Sequence, residues 1–275
     1  MRVFMFPGQG SQFKGMGESL FQKFPRECEH ASNLLGYDIV DLCLQDPRNQ
    51  LNQTYYTQPA IYFVSVLSFL NEDTKPDCLL GHSLGLYGAL FAAQAFSLEE
   101  GLQIVQKRSS LMSEANNGSM MAVIGSGLNQ LEEILINLEF HDIDIANYNA
   151  DNQIVLSGKT ARITELQPIL NKQGFRAIIL PVSGAFHSRQ MKPALVSFFD
   201  FLVGKTFNDL KLPVISTITG QPLSNSHLIE EMTYQLIKPV RWRQVVSYLK
   251  KNAGHIEFKE VGPGTVLQAL HRQIT

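Results

Sequence analysis

Only three cysteines, Cys28, Cys43 and Cys78, occur in the 275 residues. The number is odd and the spacings fit no metal-ligand pattern. That excludes a disulfide framework and a cysteine-based metal site, and buried free thiols in a reducing, cytoplasmic compartment are expected. No apolar run approaches the length of a membrane span. The apolar start, Met1 to Phe6, meets Pro7 too soon for a signal peptide. Neither sign of charge prevails, with 23 basic against 25 acidic residues and a net charge of −2. A nucleic-acid-binding surface is therefore not expected. Repeats and low-complexity segments are also missing. What remains is an ordinary globular composition, 44% hydrophobic, on a chain long enough for one large domain or two smaller ones.

The chain is organised around Gly81-His82-Ser83-Leu84-Gly85. Asp77 to Leu80 reads as a short apolar strand before it, and Leu86 to Phe96 as a helix after it. Strand, G-x-S-x-G and helix form a nucleophile-elbow context. Glycine suits a reversal this sharp. The turn would lift the Ser83 hydroxyl clear of a sheet and leave the Leu84 N–H at a helix start, able to face a developing oxyanion. A tight turn whose serine merely caps a helix is the plainer alternative.

Val3 to Phe6 reads as a first strand, apolar enough to be buried on both faces of a parallel sheet. Pro7-Gly8-Gln9-Gly10-Ser11-Gln12 follows, but it has neither the G-x-G-x-x-G nor the G-x-x-x-x-G-K-[ST] spacing of a phosphate loop. Loops at the carboxyl ends of parallel strands build the site in open α/β sheets. This loop and the elbow are thus expected side by side. Residues 18–50 read as helical pieces broken at Pro25 and Asp46-Pro47. A buried helix is expected from Tyr56, with Pro59 near its first position. Ser97 and Glu100 form a capping box opening a helix to about Ala115. On it Ile104, Arg108, Leu111 and Met112 share one face. The pattern leaves Arg108 open between a snorkelling or ion-paired arginine and a guanidinium able to grip a carboxylate.

Beyond Gly118 the rhythm changes. Strands at 120–124, 143–146, 154–156 and 176–180 and helices at 128–138 and 160–172 give the order βαββαβ, a ferredoxin-like unit. The expected architecture is an α/β-hydrolase-like large domain with a parallel sheet, formed by 1–118 and 183–275. A ferredoxin-like small domain, 119–182, is inserted into it. A cleft between insert and host is a common substrate site. His187 lies in a polar loop at the exit of the insert, where it could face the elbow or simply start a helix.

In this order the elbow, the glutamine-bearing first loop, the helical arginine and the later histidine resemble the malonyl-CoA:acyl carrier protein transacylases. That family includes free-standing acyltransferases serving polyketide synthases. Phe6-Pro7-Gly8-Gln9-Gly10-Ser11-Gln12, Thr57-Gln58-Pro59-Ala60, Lys107-Arg108, Ala146-Asn147-Tyr148-Asn149, Phe186-His187-Ser188 and Glu260-Val261-Gly262-Pro263-Gly264 carry the likeness, among other stretches. The resemblance implies that Ser83 is the nucleophile and His187 its base. It implies that the backbone carbonyl of Gln235 orients the imidazole, and that the N–H groups of Gln9 and Leu84 form the oxyanion hole. Arg108 would pair with the malonyl carboxylate. Phe186, a bulky ring beside the base, would leave less room for an α-methyl group and so favour malonyl over methylmalonyl.

The implied partners are malonyl-CoA and a phosphopantetheinylated acyl carrier protein, with neither nucleic acid nor membrane. No cofactor and no metal are implied, coenzyme A entering as a thioester substrate, and the expected state is a cytoplasmic monomer. A proofreading hydrolase of acyl carrier proteins is the alternative, but it would not need Arg108. A non-catalytic scaffold would not need the nucleophile, base and arginine together. Three positions depart from the family pattern. Leu86 replaces Glu and is expected to remove a charge near the pocket mouth. Ser109 replaces Gly after the arginine and bears on how Arg108 is presented, and Gln94 replaces another Gly. Lys192, Lys238, Arg241, Arg243, Lys250 and Lys251 are candidates for a basic face that docks the acidic carrier protein.

Overall fold

The computed structural model describes residues 1–115, 117–125 and 130–275. Short apolar runs, β1 (Arg2–Phe6), β2 (Cys78–Gly81) and β7 (Val214–Ile215), form a parallel sheet with a charged edge strand, β8 (Glu257–Glu260), in the order β7-β2-β1-β8. Side chains alternate across β1. Phe4 and Phe6 enter a core shared with the helices Thr54–Leu70, Gly85–Ala92 and Leu98–Glu114. Val3 and Met5 enter a second core built on Trp242, Val245 and Leu270. Burial on both faces explains why β1 is a continuous apolar run and not an alternating one.

A second sheet is antiparallel. β3 (Gly118–Ile124), β4 (Asp144–Ala150), β5 (Gln153–Lys159) and β6 (Arg176–Ile179) assemble in the order β4-β5-β3-β6. Its helices, Leu131–Asn137 and Thr160–Lys172, pack Leu131, Leu135, Ile163, Leu166 and Leu170 onto a separate core. The part of the expected helix 128–138 at 128 and 129 lies outside the described residues. The edge strand β4 is tied to the rest of the molecule through Val240. Its N–H donates to the Ala146 carbonyl and its carbonyl accepts from the Tyr148 N–H, both at 2.9 Å.

Several boundaries differ from those read in the sequence. The long buried helix begins at Thr54, and Pro59 lies inside it. The run after the elbow stays helical only from Gly85 to Ala92, and β7 is two residues long. All three cysteines are buried and free. Burial pushes the thiols of Cys28 and Cys78 up to about 11.

Candidate active site

Register within the parallel sheet sets the site. Phe6 pairs with Gly81 at the carboxyl ends of β1 and β2, and the His82 N–H continues the ladder to the Phe6 carbonyl at 3.0 Å. The loop after β1 and the elbow after β2 therefore leave the sheet side by side. A side chain at Gly85 would overlap the Phe6 carbonyl, and one at Gly81 would overlap the backbone at Leu86. Glycine is needed at both for the helix to start this close to the sheet.

Ser83 has a left-handed backbone, φ 53°, as does His187, φ 55°. Each such non-glycine residue costs about 1–3 kcal/mol and persists only where its surroundings hold it. The return is contact between them: Ser83 Oγ lies 2.7 Å from His187 Nε2. The opposite ring nitrogen, Nδ1, lies 2.7 Å from the Gln235 carbonyl and 3.3 Å from that of Lys238. A carbonyl can only accept, so Nδ1 carries the proton and Nε2 presents its lone pair to the serine. Burial, then the charge of Arg108, lowers the imidazole pKa to about 3. The ring is thus neutral and ready to take a proton.

The N–H groups of Gln9 and Leu84 donate to no group among the described residues, and both residues line the cavity that contains Ser83. Two free donors beside a nucleophile can stabilise an oxyanion. The cavity, about 160 Å³, runs between the two sheets and is also lined by Met112, Met120, Val155, Phe186 and Leu267. His82 closes one side. Its ring packs edge-on against Trp242, and its Nε2 lies 2.9 Å from Asn149 Oδ1. Asn149 in turn donates to Gln153 Oε1, joining the elbow to the β4–β5 hairpin.

Arg108 neither snorkels nor pairs at the surface. It is 1% exposed. Nη1 donates to Gln58 Oε1 at 2.7 Å, and Nη2 to Gln235 Oε1 at 3.1 Å and to Ser83 Oγ at 3.4 Å. The Tyr87 ring lies 5.5 Å from the guanidinium carbon, while Arg108 Nε and the Tyr87 hydroxyl meet the distance and angle of no hydrogen bond among the described residues. No carboxylate pairs with this buried cation among the described residues. Desolvation lowers its pKa from the usual arginine value, against a smaller opposing effect of the Tyr87 phenol, and no carboxylate offsets it among the described residues.

Leu86 corrects one expectation. It is buried in the main core and does not line the cavity, so no charge is missing at the mouth. The basic candidates are scattered. Lys192 and Lys238 border a groove that reaches His187, whereas Lys250 Nζ donates to the carbonyls of His271 and Ile274, and Arg243 lies 4.0 Å from Asp151. The side chains of Gln58 and Gln235 hold Arg108, a contact that sequence reasoning passed over. For Gln58 the available signal was a buried-helix glutamine directly before a proline; Gln235 offered none.

The chain matches the acyl transferase domain family over residues 3–275. It is similar to the Bacillus subtilis polyketide biosynthesis malonyl CoA-acyl carrier protein transacylase PksC. The two are 45% identical over 100% of this chain and 97% of that protein. The Bacillus velezensis counterpart BaeC is 43% identical over 100% of this chain and 96% of its own. Among solved structures, the malonyl CoA-acyl carrier protein transacylase of Burkholderia pseudomallei superposes with a TM-score of 0.95. It is 39% identical and covers 99% of this chain and 97% of its own. A type II polyketide synthase acyl-carrier protein in complex with its malonyl-transacylase gives a TM-score of 0.92 at 30% identity, covering 100% and 93%.

Proposed function

The chain belongs to the acyl transferase domain family, and on that premise we propose that it carries malonyl from malonyl-CoA to the phosphopantetheine thiol of an acyl carrier protein. The observation that carries the reading is Arg108, a buried cation with no anion beside it among the described residues, 3.4 Å from the nucleophile candidate. A free carboxylate on the acyl group completes the pair by two parallel hydrogen bonds. A hydrolase of neutral acyl groups gains nothing from leaving such a charge uncompensated.

In the proposed mechanism Ser83 Oγ attacks the thioester carbonyl as His187 Nε2 takes its proton. The oxyanion is held by the Gln9 and Leu84 N–H groups. The C–S bond breaks, and the His187 proton goes to the departing coenzyme A sulfur. The carrier thiol then enters, gives its proton to His187 and attacks the Ser83 ester; the ester C–O bond breaks and the proton passes from His187 to Ser83 Oγ, which regenerates the serine. Two carbonyls suffice to orient the imidazole because thiolate is a good leaving group. Every proton transfer is assigned to His187, so the reading invokes no cofactor. Phe186, buried against the cavity, supports malonyl over methylmalonyl.

The strand order β4-β5-β3-β6, with an antiparallel partner at every step, supports the ferredoxin-like reading of the small unit. That unit would be 119–182, inserted in a hydrolase-like domain formed by 1–118 and 183–275, and the molecule would act as a monomer. Polyketide assembly is the favoured pathway, in line with the relatives at 45% and 43% identity. The deciding experiment is intact-mass spectrometry after brief exposure to malonyl-CoA. A malonyl adduct that persists until carrier protein is added, and is absent from Ser83→Ala, supports the transferase. Steady release of free acid without carrier protein overturns it.

A further inference from the structure

A buried guanidinium is ordinarily held by carboxylates, because an isolated charge is costly to remove from water. Arg108 is held instead by two amides that are themselves buried, Gln58 Oε1 and Gln235 Oε1. An amide oxygen orients the guanidinium fork as a carboxylate would, but leaves its charge uncancelled.

Both amides have their nitrogen ends engaged elsewhere, so each oxygen is committed to Arg108. Gln58 Nε2 donates to Met112 Sδ at 3.4 Å, and Met112 stands one turn beyond Arg108 on the same helix. Gln235 Nε2 donates to the Ser83 carbonyl at 2.9 Å. Gln235 thereby touches all three working groups: its carbonyl holds His187, its amide oxygen holds Arg108, and its amide nitrogen holds the elbow.

Resting on the reading of Arg108 as the receptor for the malonyl carboxylate, we propose that Gln58 and Gln235 are specificity-determining positioning residues. They hold the buried Arg108 in place as neutral acceptors and leave its charge for a substrate carboxylate. Replacing either by glutamate changes one terminal group and adds a negative charge at the same place. The guanidinium would then be paired internally, and an acyl carboxylate would meet a neutral site.

The test measures the rate of adduct formation on Ser83 from malonyl-CoA and from acetyl-CoA, in competition, by intact mass. The wild type is compared with Gln58→Glu, Gln235→Glu, Gln58→Met and Arg108→Ala, with a thermal melt for each. Gln58→Glu is expected to lower the malonyl-over-acetyl preference about 100-fold, the scale of losing one charge-assisted pair. Gln235→Glu should move it the same way. Gln58→Met, which removes the acceptor without adding charge, should react more slowly but keep the preference. Folded glutamate variants with wild-type preference would overturn the proposal. So would loss of preference in Gln58→Met as complete as in Gln58→Glu. Failure of Gln58→Glu to fold would also count against it, since that change gives up only the donation to Met112 Sδ and an Arg–Glu pair should fit where the Arg–amide pair does. Unchanged preference in Arg108→Ala would instead overturn the reading of Arg108 itself.

Discussion

The Ser109 hydroxyl lies 3.2 Å from the Tyr55 carbonyl, bridging the helices Leu98–Glu114 and Thr54–Leu70. Pro59 has no N–H, so the carbonyl four residues before it, that of Tyr55, loses its normal helical partner. Ser109 supplies a substitute donor, although its hydroxyl also lies 2.9 Å from the Gln106 carbonyl. The two helices carry Arg108 and Gln58, so this contact locks the clamp to its acceptor.

Ser109→Ala leaves the Tyr55 carbonyl short of a donor. The expected loss is about 1 kcal/mol, which lowers the melting temperature by about 2–4 °C in a domain of this size. The KM for malonyl-CoA should rise as the arginine loosens, with less change for acetyl-CoA. Calorimetry and paired kinetics check both halves, and an unaltered melt would remove the role given to Ser109.

How far the sequence alone reached depends on which features are local. The elbow was legible because two glycines flank a serine between an apolar strand and a helix, and no distant residue is needed to read that. The βαββαβ order was legible for the same reason, since its periods change within short windows. Arg108 was not, because a helical stripe containing arginine looks the same whether the side chain snorkels or is swallowed. Burial is decided by the helix Thr54–Leu70 packed across it. The bond from His187 to the Gln235 carbonyl joins residues 48 apart, and a backbone acceptor leaves no mark on composition. The family resemblance supplied that pairing, but not the amide contacts to Arg108.

The His187 imidazole should work far below the usual histidine range. Its pKa is lowered to about 3 by burial and by the Arg108 charge, so the neutral base survives well into acid. Acylation by malonyl-CoA under kcat/KM conditions is expected to stay level from about pH 8 to about pH 5. An acid limb centred near the ordinary histidine value would contradict this. The same shift affects stability. Unfolded chains take up a proton on this residue between about pH 6.5 and pH 3 while the folded protein does not, so its contribution is complete above that window and falls away on acidification. Arg108→Ala should raise the pKa, because it removes the second cause.

Glu231 behaves in the opposite sense. The residue is 7% exposed, and its carboxyl accepts a hydrogen bond only from Ser216 Oγ among the described residues. Desolvation raises its pKa from 4.5 to about 7, against the smaller effect of that hydrogen bond. A raised acid favours folding below the unfolded pKa and loses that favour as pH rises through the folded one. Over that window the cost approaches about 3 kcal/mol. Glu231→Gln keeps an acceptor for Ser216 and removes the titration. The stability difference between variant and wild type should therefore widen in the variant's favour from about pH 5 to about pH 8. Urea denaturation at several pH values measures it, and a constant difference would refute the assignment.

Gln94 ends the elbow helix in a left-handed conformation, φ 64°. The Ala95 N–H returns to the Leu90 carbonyl and the Gln94 N–H to that of Phe91, so both donors are used in closing the helix. Closing a helix this way suits glycine, since a side chain in that region costs about 1–2 kcal/mol. Some of the gain on removing it is lost to the greater freedom of glycine in the unfolded chain. Gln94→Gly should still stabilise by about 1 kcal/mol. The position lies in a groove by Phe69, Phe91 and Leu212, away from the Ser83 cavity, so acyl transfer should be unchanged. A higher denaturation midpoint at constant slope would confirm the strain, whereas a lower one would show that the Gln94 side chain makes a compensating contact in solution.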